Sequence, residues 1–246
     1  MSLKDKTAVV TGGGSGIGRA CSLQLARDGA AVAVWGRSAD NVAETVRLIE
    51  AEGGRAAAYV GDASARTDID RILERIRAEL GPVLVLVNNA GVSDLTPFQE
   101  ITQEALEQIL HINLVGPFIL TQAAITDMIA AGWGRIINIT SSSAQTGARG
   151  RAHYSSSKGG LVALTKTLAL EFVGQGITVN NIPPGFIDTP MMRTAGRDFD
   201  AAAAASPMKR SGRPEDIAAA CSYLASQGAS YITGQTIGVN GGRVIC

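Results

Sequence analysis

The stretch Thr7-Ala-Val-Val-Thr11 runs directly into Gly12-Gly-Gly-Ser-Gly-Ile-Gly18, and an amphipathic pattern follows over 17–27. A short β-branched run of this kind reads as a buried strand, and the periodic segment after the glycines as a helix. The first N–H groups of a helix have no partner inside it and carry partial positive charge, so they attract phosphate. Gly12, Gly16 and Gly18 divide three tasks that require the absence of a side chain: a tight turn, close backbone approach to an anion, and packing of helix on strand. The spacing is G-x-x-x-G-x-G, not the commoner G-x-G-x-x-G. A glycine loop is also what any tight turn needs, so its meaning depends on the rest of the chain.

Further strands are expected over 31–35, 56–60, 83–87, 134–140, 177–182 and 236–239, with helices over 41–52, 68–80, 103–131, 152–173 and 214–226. Pro117, after Gly116, is expected to split the segment 103–131. Strands that alternate with helices and are apolar throughout argue for a parallel sheet covered on both faces, a doubly wound α/β fold. Ligands of such folds bind beyond the C-terminal strand ends. The unusual residues all follow strands: the glycine loop, Arg37, Asp62, residues 88–91, residues 141–143 and residues 183–189. No linker, repeat or low-complexity tract divides 1–246, so one domain is expected. The segment 188–213, with its run Ala201 to Ala205, reads as a substrate flap.

Composition narrows the class. The 246 residues are 46% hydrophobic and 18% charged, which suits a compact domain with a sizeable core. Formal net charge is zero, giving no sign of a nucleic-acid or anionic-membrane partner. The charged opening Met1-Ser-Leu-Lys-Asp-Lys6 lacks the apolar stretch of a signal peptide, and the clearest apolar run, 83–87, is far too short for a bilayer. Cys21, Cys221 and Cys246 are odd in number and lack metal-like spacing; with the isolated His111 and His153 they suggest no metal site. A reduced, cytoplasmic setting fits them best.

Tyr154-Ser-Ser-Ser-Lys158 carries the sharpest chemical signal. Positions i and i+4 share a helix face, so a phenol and an ammonium can sit together, and a nearby cation favours phenolate. The same spacing also describes an ordinary surface pair. Three companions strengthen the chemical reading. Ser141 follows a strand and could donate to a carbonyl oxygen. Asn113 stands in a helical pattern where asparagine forms helix poorly. Residues 88–91 place small and amide groups at a strand end.

Thr11 to Gly18 (TGGGSGIG), Asp62, residues 88–91 (NNAG), Asn113, Ser141, Tyr154-x-x-x-Lys158 and Pro184-Gly185 with Thr189 occur here in one order. In these residues the chain resembles the short-chain dehydrogenase/reductase family over nearly its whole length, from about Thr7 to Gly242. The resemblance implies a seven-stranded Rossmann sheet and hydride transfer between a nicotinamide cofactor and a carbonyl or alcohol. By the same resemblance Tyr154 would exchange the proton, Lys158 would lower its pKa and hold the nicotinamide ribose, Ser141 would orient the carbonyl, and Asn113 would hold a relay water. Gly12, Ser15, Gly16, Ile17 and Gly18 would form the phosphate loop. Asp62 would meet the adenine, Asn89, Ala90 and Gly91 the adenosine ribose side, and Pro184, Gly185, Ile187 and Thr189 the nicotinamide side. A homotetramer packed through the two long helices and the C-terminal strand is also implied.

Two departures carry information. Where the NAD-preferring branch places an acidic residue, after the second strand, this chain has Gly36 and then Arg37. A guanidinium binds a 2′-phosphate that a carboxylate would repel, so NADP(H) is expected over NAD(H). The overall pattern, including the ending Tyr231-Ile-Thr-Gly-Gln-Thr, is nearest the acyl-carrier-protein reductases, which are expected to dock an acidic carrier on basic residues beside the active site. Here residues 128–134 carry no charge and Gln175 stands at another usually basic place, though Arg149 and Arg151 remain near the entrance.

The expected function is an NADP(H)-dependent ketone reductase or secondary-alcohol dehydrogenase acting on a small free carbonyl or alcohol. Met191, Met192 and Phe199 on the flap suggest a partly apolar pocket. The alternatives are a 3-oxoacyl thioester reductase and a non-catalytic dinucleotide sensor on the same fold. His153, beside Tyr154, either rims the pocket or lies on plain helix surface.

Overall fold

The computed structural model describes residues 2–194 and 198–245. β1 (Thr7–Thr11) leads into α1 (Gly16–Arg27), then β2 (Ala31–Gly36), α2 (Ala39–Ala51), β3 (Arg55–Val60), α3 (Arg66–Glu79) and β4 (Val83–Asn88). A second half follows with α4 (Gln103–Leu110), α5 (Gly116–Ala131), β5 (Gly134–Ile139), the short α6 (Ser143–Thr146), α7 (Ala152–Phe172) and β6 (Ile177–Ile182). The chain ends through α8 (Pro190–Thr194), α9 (Phe199–Ala205) and α10 (Pro214–Ala225).

The strands form one sheet in the order β3-β2-β1-β4-β5-β6, every pair parallel. Side chains alternate across it. Ala8 and Val10 of β1 face a layer made by α1, α2 and α10, where Cys21, Leu25, Ile49, Ile217 and Leu224 are buried. Val9 faces the opposite layer, where Ile72 and Ile76 of α3 and Leu120, Ala124 and Met128 of α5 are buried. Apolar residues on both faces of each strand are what covering by two helix layers requires.

The sheet has six strands among the described residues, not the seven expected. Residues 236–239 run parallel to β6 but meet this edge only at the isolated bridges Asn181↔Thr236 and Pro184↔Val239. Two local features interrupt a regular ladder. Pro183 and Pro184 have no N–H to donate. The carboxamides of Asn180 and Asn181 also take main-chain partners: Asn180 Nδ2 donates to Ile232 O at 2.7 Å and Asn181 Nδ2 to Gln235 O at 3.3 Å.

The helix over 103–131 is not broken at Pro117 either. His111–Val115 forms a π-turn in which the Gly116 N–H reaches the His111 carbonyl, five residues back. Pro117 follows directly in the first turn of α5, so its missing N–H falls where the i→i−4 ladder is already interrupted by this wider turn. The inserted residue places Asn113 inward, fully buried. Such π-turns are common where a helix serves a site.

Candidate active site

A cavity of about 670 Å³ opens along the C-terminal edge of the sheet, across the switch point between β1 and β4. Gly12, Ser15, Gly16, Ile17, Arg37, Asp62, Asn89, Ala90 and Gly91 line one end. Ser141, Tyr154, Lys158, Pro184, Gly185, Ile187 and Thr189 line the other. Only Gly18 and Asn113 among the expected site residues stand behind the wall.

The glycines are explained by contact and dihedral. Gly12 and Gly16 have positive φ, 64° and 49°. At Gly18 a Cβ would lie 2.1 Å from the Gly12 carbonyl oxygen, so this position packs helix start on loop. Ser15 is the N-cap of α1 but its side chain caps nothing, and the first turn holds no acidic residue. The leading N–H groups of α1 therefore keep their capacity for an outside anion. Around the loop, Arg19 donates to Gly14 O at 2.7 Å and to Thr45 Oγ1 at 3.0 Å. Thr11 Oγ1 accepts from Asn89 N and Ala90 N, both at 3.0 Å, and Asn89 Nδ2 donates back to Thr11 O at 2.9 Å. The Asn89 carboxamide thus ties two cavity loops together. Asp62 Oδ1 accepts from Ser64 N and Ser64 Oγ at 2.8 and 2.7 Å. Arg37 is exposed on the wall and has no hydrogen bond or ion pair among the described residues. An anion-receiving helix start, an unengaged guanidinium one strand away and a long groove between them fit a phosphorylated dinucleotide.

At the other end the groups are side chains: Lys158 is buried, while Tyr154 and Ser141 are half-buried where they line the cavity. Tyr154 hydrogen-bonds Ser141, and burial raises its pKa against the lowering effects of that bond and of the Arg151 charge. The Arg151 guanidinium lies 5.4 Å from the Tyr154 ring centroid. Ser141 Oγ is 2.9 Å from Ser143 Oγ and accepts from Ser143 N at 3.2 Å. Lys158, 4% exposed, donates to Ile139 O at 2.9 Å, and burial lowers its pKa to about 8. Its Nζ would sit 3.3 Å from a Cβ at Gly91, so Gly91 leaves room for the ammonium. Asn113 braces the same place from behind: Oδ1 accepts from Val92 N at 2.9 Å, while Nδ2 donates to Val92 O at 2.9 Å and Ser157 Oγ at 3.1 Å.

Several placements differ from expectation. His153 neither rims the cavity nor lies on the surface: it is 2% exposed, and neither ring nitrogen has a hydrogen-bond partner among the described residues. Met191 and Met192 line the cavity, but the Phe199 side chain lies outside the described residues. The uncharged stretch 128–134 and Gln175 precede β5 and β6, so both sit at the N-terminal sheet edge, away from the cavity. They therefore do not describe the surroundings of this chain's own site. Ser143 and Arg243 also line the cavity, and sequence reasoning did not single them out. Ser143 was visible only as part of a serine-rich loop. Arg243 lies about 90 residues beyond Tyr154 and reaches the cavity through the tertiary fold alone.

The comparisons with known proteins agree with this architecture. A family model described as enoyl-(acyl carrier protein) reductase matches residues 12–243. The chain is 36% identical, over 246 residues and the full length of both proteins, to a 3-oxoacyl-(acyl-carrier-protein) reductase of Thermotoga maritima. It superposes with TM-score 0.95 on a putative gluconate dehydrogenase from Agrobacterium tumefaciens, at 31% identity, covering 99% of this chain and 98% of that one. A putative NAD(P)-dependent gluconate 5-dehydrogenase from Beutenbergia cavernae, with NADP bound at low occupancy, gives TM-score 0.92 and 39% identity over 98% and 97% of the two chains. With Tyr154, Lys158 and Ser141 gathered at one end of the groove and an open helix start at the other, the chain belongs to the short-chain dehydrogenase/reductase family and is an oxidoreductase that moves hydride between a nicotinamide cofactor and a C=O or CH–OH group.

Proposed function

We propose that the protein is an NADP(H)-preferring ketone reductase or secondary-alcohol dehydrogenase whose substrate is a small free molecule. The observation that supports the cofactor choice is Arg37. It is an unengaged guanidinium at the end of β2, with Gly36 where a carboxylate would oppose a 2′-phosphate. Bound nicotinamide supplies or accepts the hydride. The chain's residues manage the proton and the developing charge. In reduction Tyr154 Oη donates its proton to the carbonyl oxygen, and in oxidation the phenolate takes it back. Ser141 Oγ, held by Ser143, donates a hydrogen bond to the same oxygen as it gains negative charge. Lys158 holds positive charge beside Gly91, where the ribose side of the cofactor would pass. The non-catalytic sensor reading explains the open helix start but leaves the clustered phenol, ammonium and serine pair without a task.

A 3-oxoacyl thioester remains the second reading, favoured by the activity named for the full-length Thermotoga relative. The test is steady-state turnover of a ketone and alcohol panel with NADPH and NADH, alongside a 3-oxoacyl carrier protein. A free ketone reduced with NADPH more efficiently than the carrier thioester supports the proposal; the reverse order replaces it.

We also propose a homotetramer. Leu106, Val115, Phe118 and Ile129 stand exposed on the Gln103–Ala131 helix, and Leu170, at 81% exposure, stands on α7. The Gln103–Ala131 helix is long and apolar enough by composition to cross a bilayer, yet it flanks the sheet with Leu120, Ala124 and Met128 buried. Subunit contacts that cover its outer face explain that composition. Light scattering on a sizing column checks the state.

A further inference from the structure

The whole chain has no net charge, but the cavity wall does not share that balance. Among the described residues its lining holds Arg37, Arg149, Arg151, Lys158 and Arg243, against the single carboxylate of Asp62. Asp62 and Arg37 follow β3 and β2, at the end assigned to the adenosine half of the cofactor. The end around Tyr154 is left with three arginines and, among the described residues, no acidic lining residue.

Two of them stand on separate turns of the cavity wall. Gly147 and Gly150 adopt positive φ, 69° and 67°, so the chain turns on either side of Arg149. The turn is held where Thr96 N donates to Gly150 O at 2.9 Å. Arg243 belongs to a turn knotted by Asn240, whose Oδ1 accepts from Gly242 N at 3.1 Å and whose carbonyl accepts from Arg243 N at 3.2 Å. The Asn240 backbone presses on the Pro184-Gly185 loop so closely that a Cβ at Gly185 would lie 2.7 Å from its Cα. Ser142 N donates to Pro184 O at 3.1 Å, which links that turn directly to the Ser141 loop. Neither Arg149 nor Arg243 has an ion pair or side-chain hydrogen bond among the described residues. The nearby carboxylates are otherwise engaged: Asp188 pairs with Arg193, and Asp94 accepts from Leu95 N and Thr96 Oγ1 and lies in the field of Arg151.

We propose that Arg149 and Arg243 form a clamp for a carboxylate on the substrate, so that the preferred ketone or secondary alcohol is an oxo acid or hydroxy acid. Planar guanidinium groups bind carboxylates through paired, charge-assisted hydrogen bonds. Held by them, such a substrate has its carbonyl free to meet Ser141 and Tyr154, which line the same cavity. The inference rests on the ketoreductase reading of the same cavity and adds the charge of the substrate to it.

The experiment compares 4-oxopentanoate with its neutral methyl ester as NADPH-dependent substrates of the wild type, Arg149→Gln and Arg243→Gln. A charged hydrogen bond is worth roughly ten- to a hundredfold, so the acid should exceed the ester by about tenfold or more in kcat/KM. Each substitution should lower the acid value at least about fivefold more than the ester value, and added salt should erode the preference. Equal values for acid and ester, or equal losses for both in the variants, overturn the clamp. Calorimetric titration of 4-oxopentanoate into the protein–NADP⁺ complex keeps the clamp testable if neither ketone turns over. Binding that weakens in both variants supports it, and binding that is absent or unaffected by them overturns it. Turnover of neither ketone counts against the free-ketone reading. A 3-oxobutanoyl carrier protein forms the third arm. If the substitutions harm that substrate more than the free acid, the arginines serve an acidic protein and the proposal falls.

Discussion

The two ends of the cavity are built on opposite principles. The loop after β1 works through what is missing: Gly12 and Gly16 have no Cβ to oppose a positive φ, Gly18 has none to strike the Gly12 carbonyl, and Ser15 withholds its side chain from the helix start. The end at α7 works through what is buried. Lys158 is buried and Tyr154 half-buried, and in each the charged form is disfavoured by desolvation. A backbone site binds through geometry that folding produces anyway. A buried side-chain site holds charge at a cost in stability, which persists because the chemistry needs it.

The largest expected effect separates the two ends outright. Tyr154→Phe keeps the ring and its packing but removes the transferable proton. Turnover should fall by about 10²–10⁴-fold, while NADPH affinity, measured by fluorescence titration, stays near the wild-type value. A variant that retained half its turnover would remove Tyr154 from the acid–base role.

Next is the cofactor end. Arg37→Ala should reduce the ratio of kcat/KM for NADPH over NADH by roughly ten- to a hundredfold. Adding Gly36→Asp should reverse the preference. A Cβ at Gly36 would lie 2.9 Å from Val42 Cγ1, so Val42→Ala is included to make room. An unchanged ratio would show Arg37 to be a solvated surface charge.

Gly18→Ala tests the steric argument. With 2.1 Å between the new Cβ and the Gly12 oxygen, the loop must move. Overpacking of this kind costs about 1–3 kcal/mol, and NADPH binding should weaken along with stability in denaturant melts. Ala at Gly159, where an added Cβ meets nothing within 4 Å, is the matched control.

Lys158→Met sharpens the contrast with a pH dependence. The Lys158 pKa falls from 10.5 to about 8, so the native state carries the cost of a buried ammonium below pH 8. That cost is relieved as pH rises from 8 to 10.5, where the unfolded chain still binds the proton. The ammonium costs up to about 3 kcal/mol, offset by about 1 kcal/mol for the lost bond to Ile139 O. Lys158→Met should therefore be inactive yet more stable than wild type at neutral pH, by about 1–2 kcal/mol. The advantage should vanish toward pH 10. A variant less stable at every pH would contradict the burial argument.

The smallest effect concerns Arg151. Its charge opposes the burial that raises the Tyr154 pKa, and oxidation requires the phenolate. Arg151→Gln should move the rising limb of the pH–rate profile for alcohol oxidation to higher pH, by about one unit or less. A profile that stays in place would assign the tuning to another group.

How much of this was legible beforehand follows the same division. The run from Thr7 to Gly18, the β/α alternation and the i,i+4 pair Tyr154 and Lys158 are local patterns, and local patterns follow from backbone geometry with periods of two and 3.6. They were sufficient for the parallel α/β sheet, and the structure brings the loop after β1, Tyr154 and Lys158 to the wall of one cavity. Pro117 and residues 236–239 were misread because neighbours changed their context. A π-turn upstream moved the proline into the first turn of a helix, and prolines with asparagine side chains interrupted the last ladder. The isolation of His153, the grip of Asn113 on Val92, the support of Ser141 by Ser143 and the arrival of Arg243 beside the catalytic cavity belong to tertiary structure alone. Burial and the meeting of residues far apart in the chain depend on which elements pack together, and no short-range pattern encodes that.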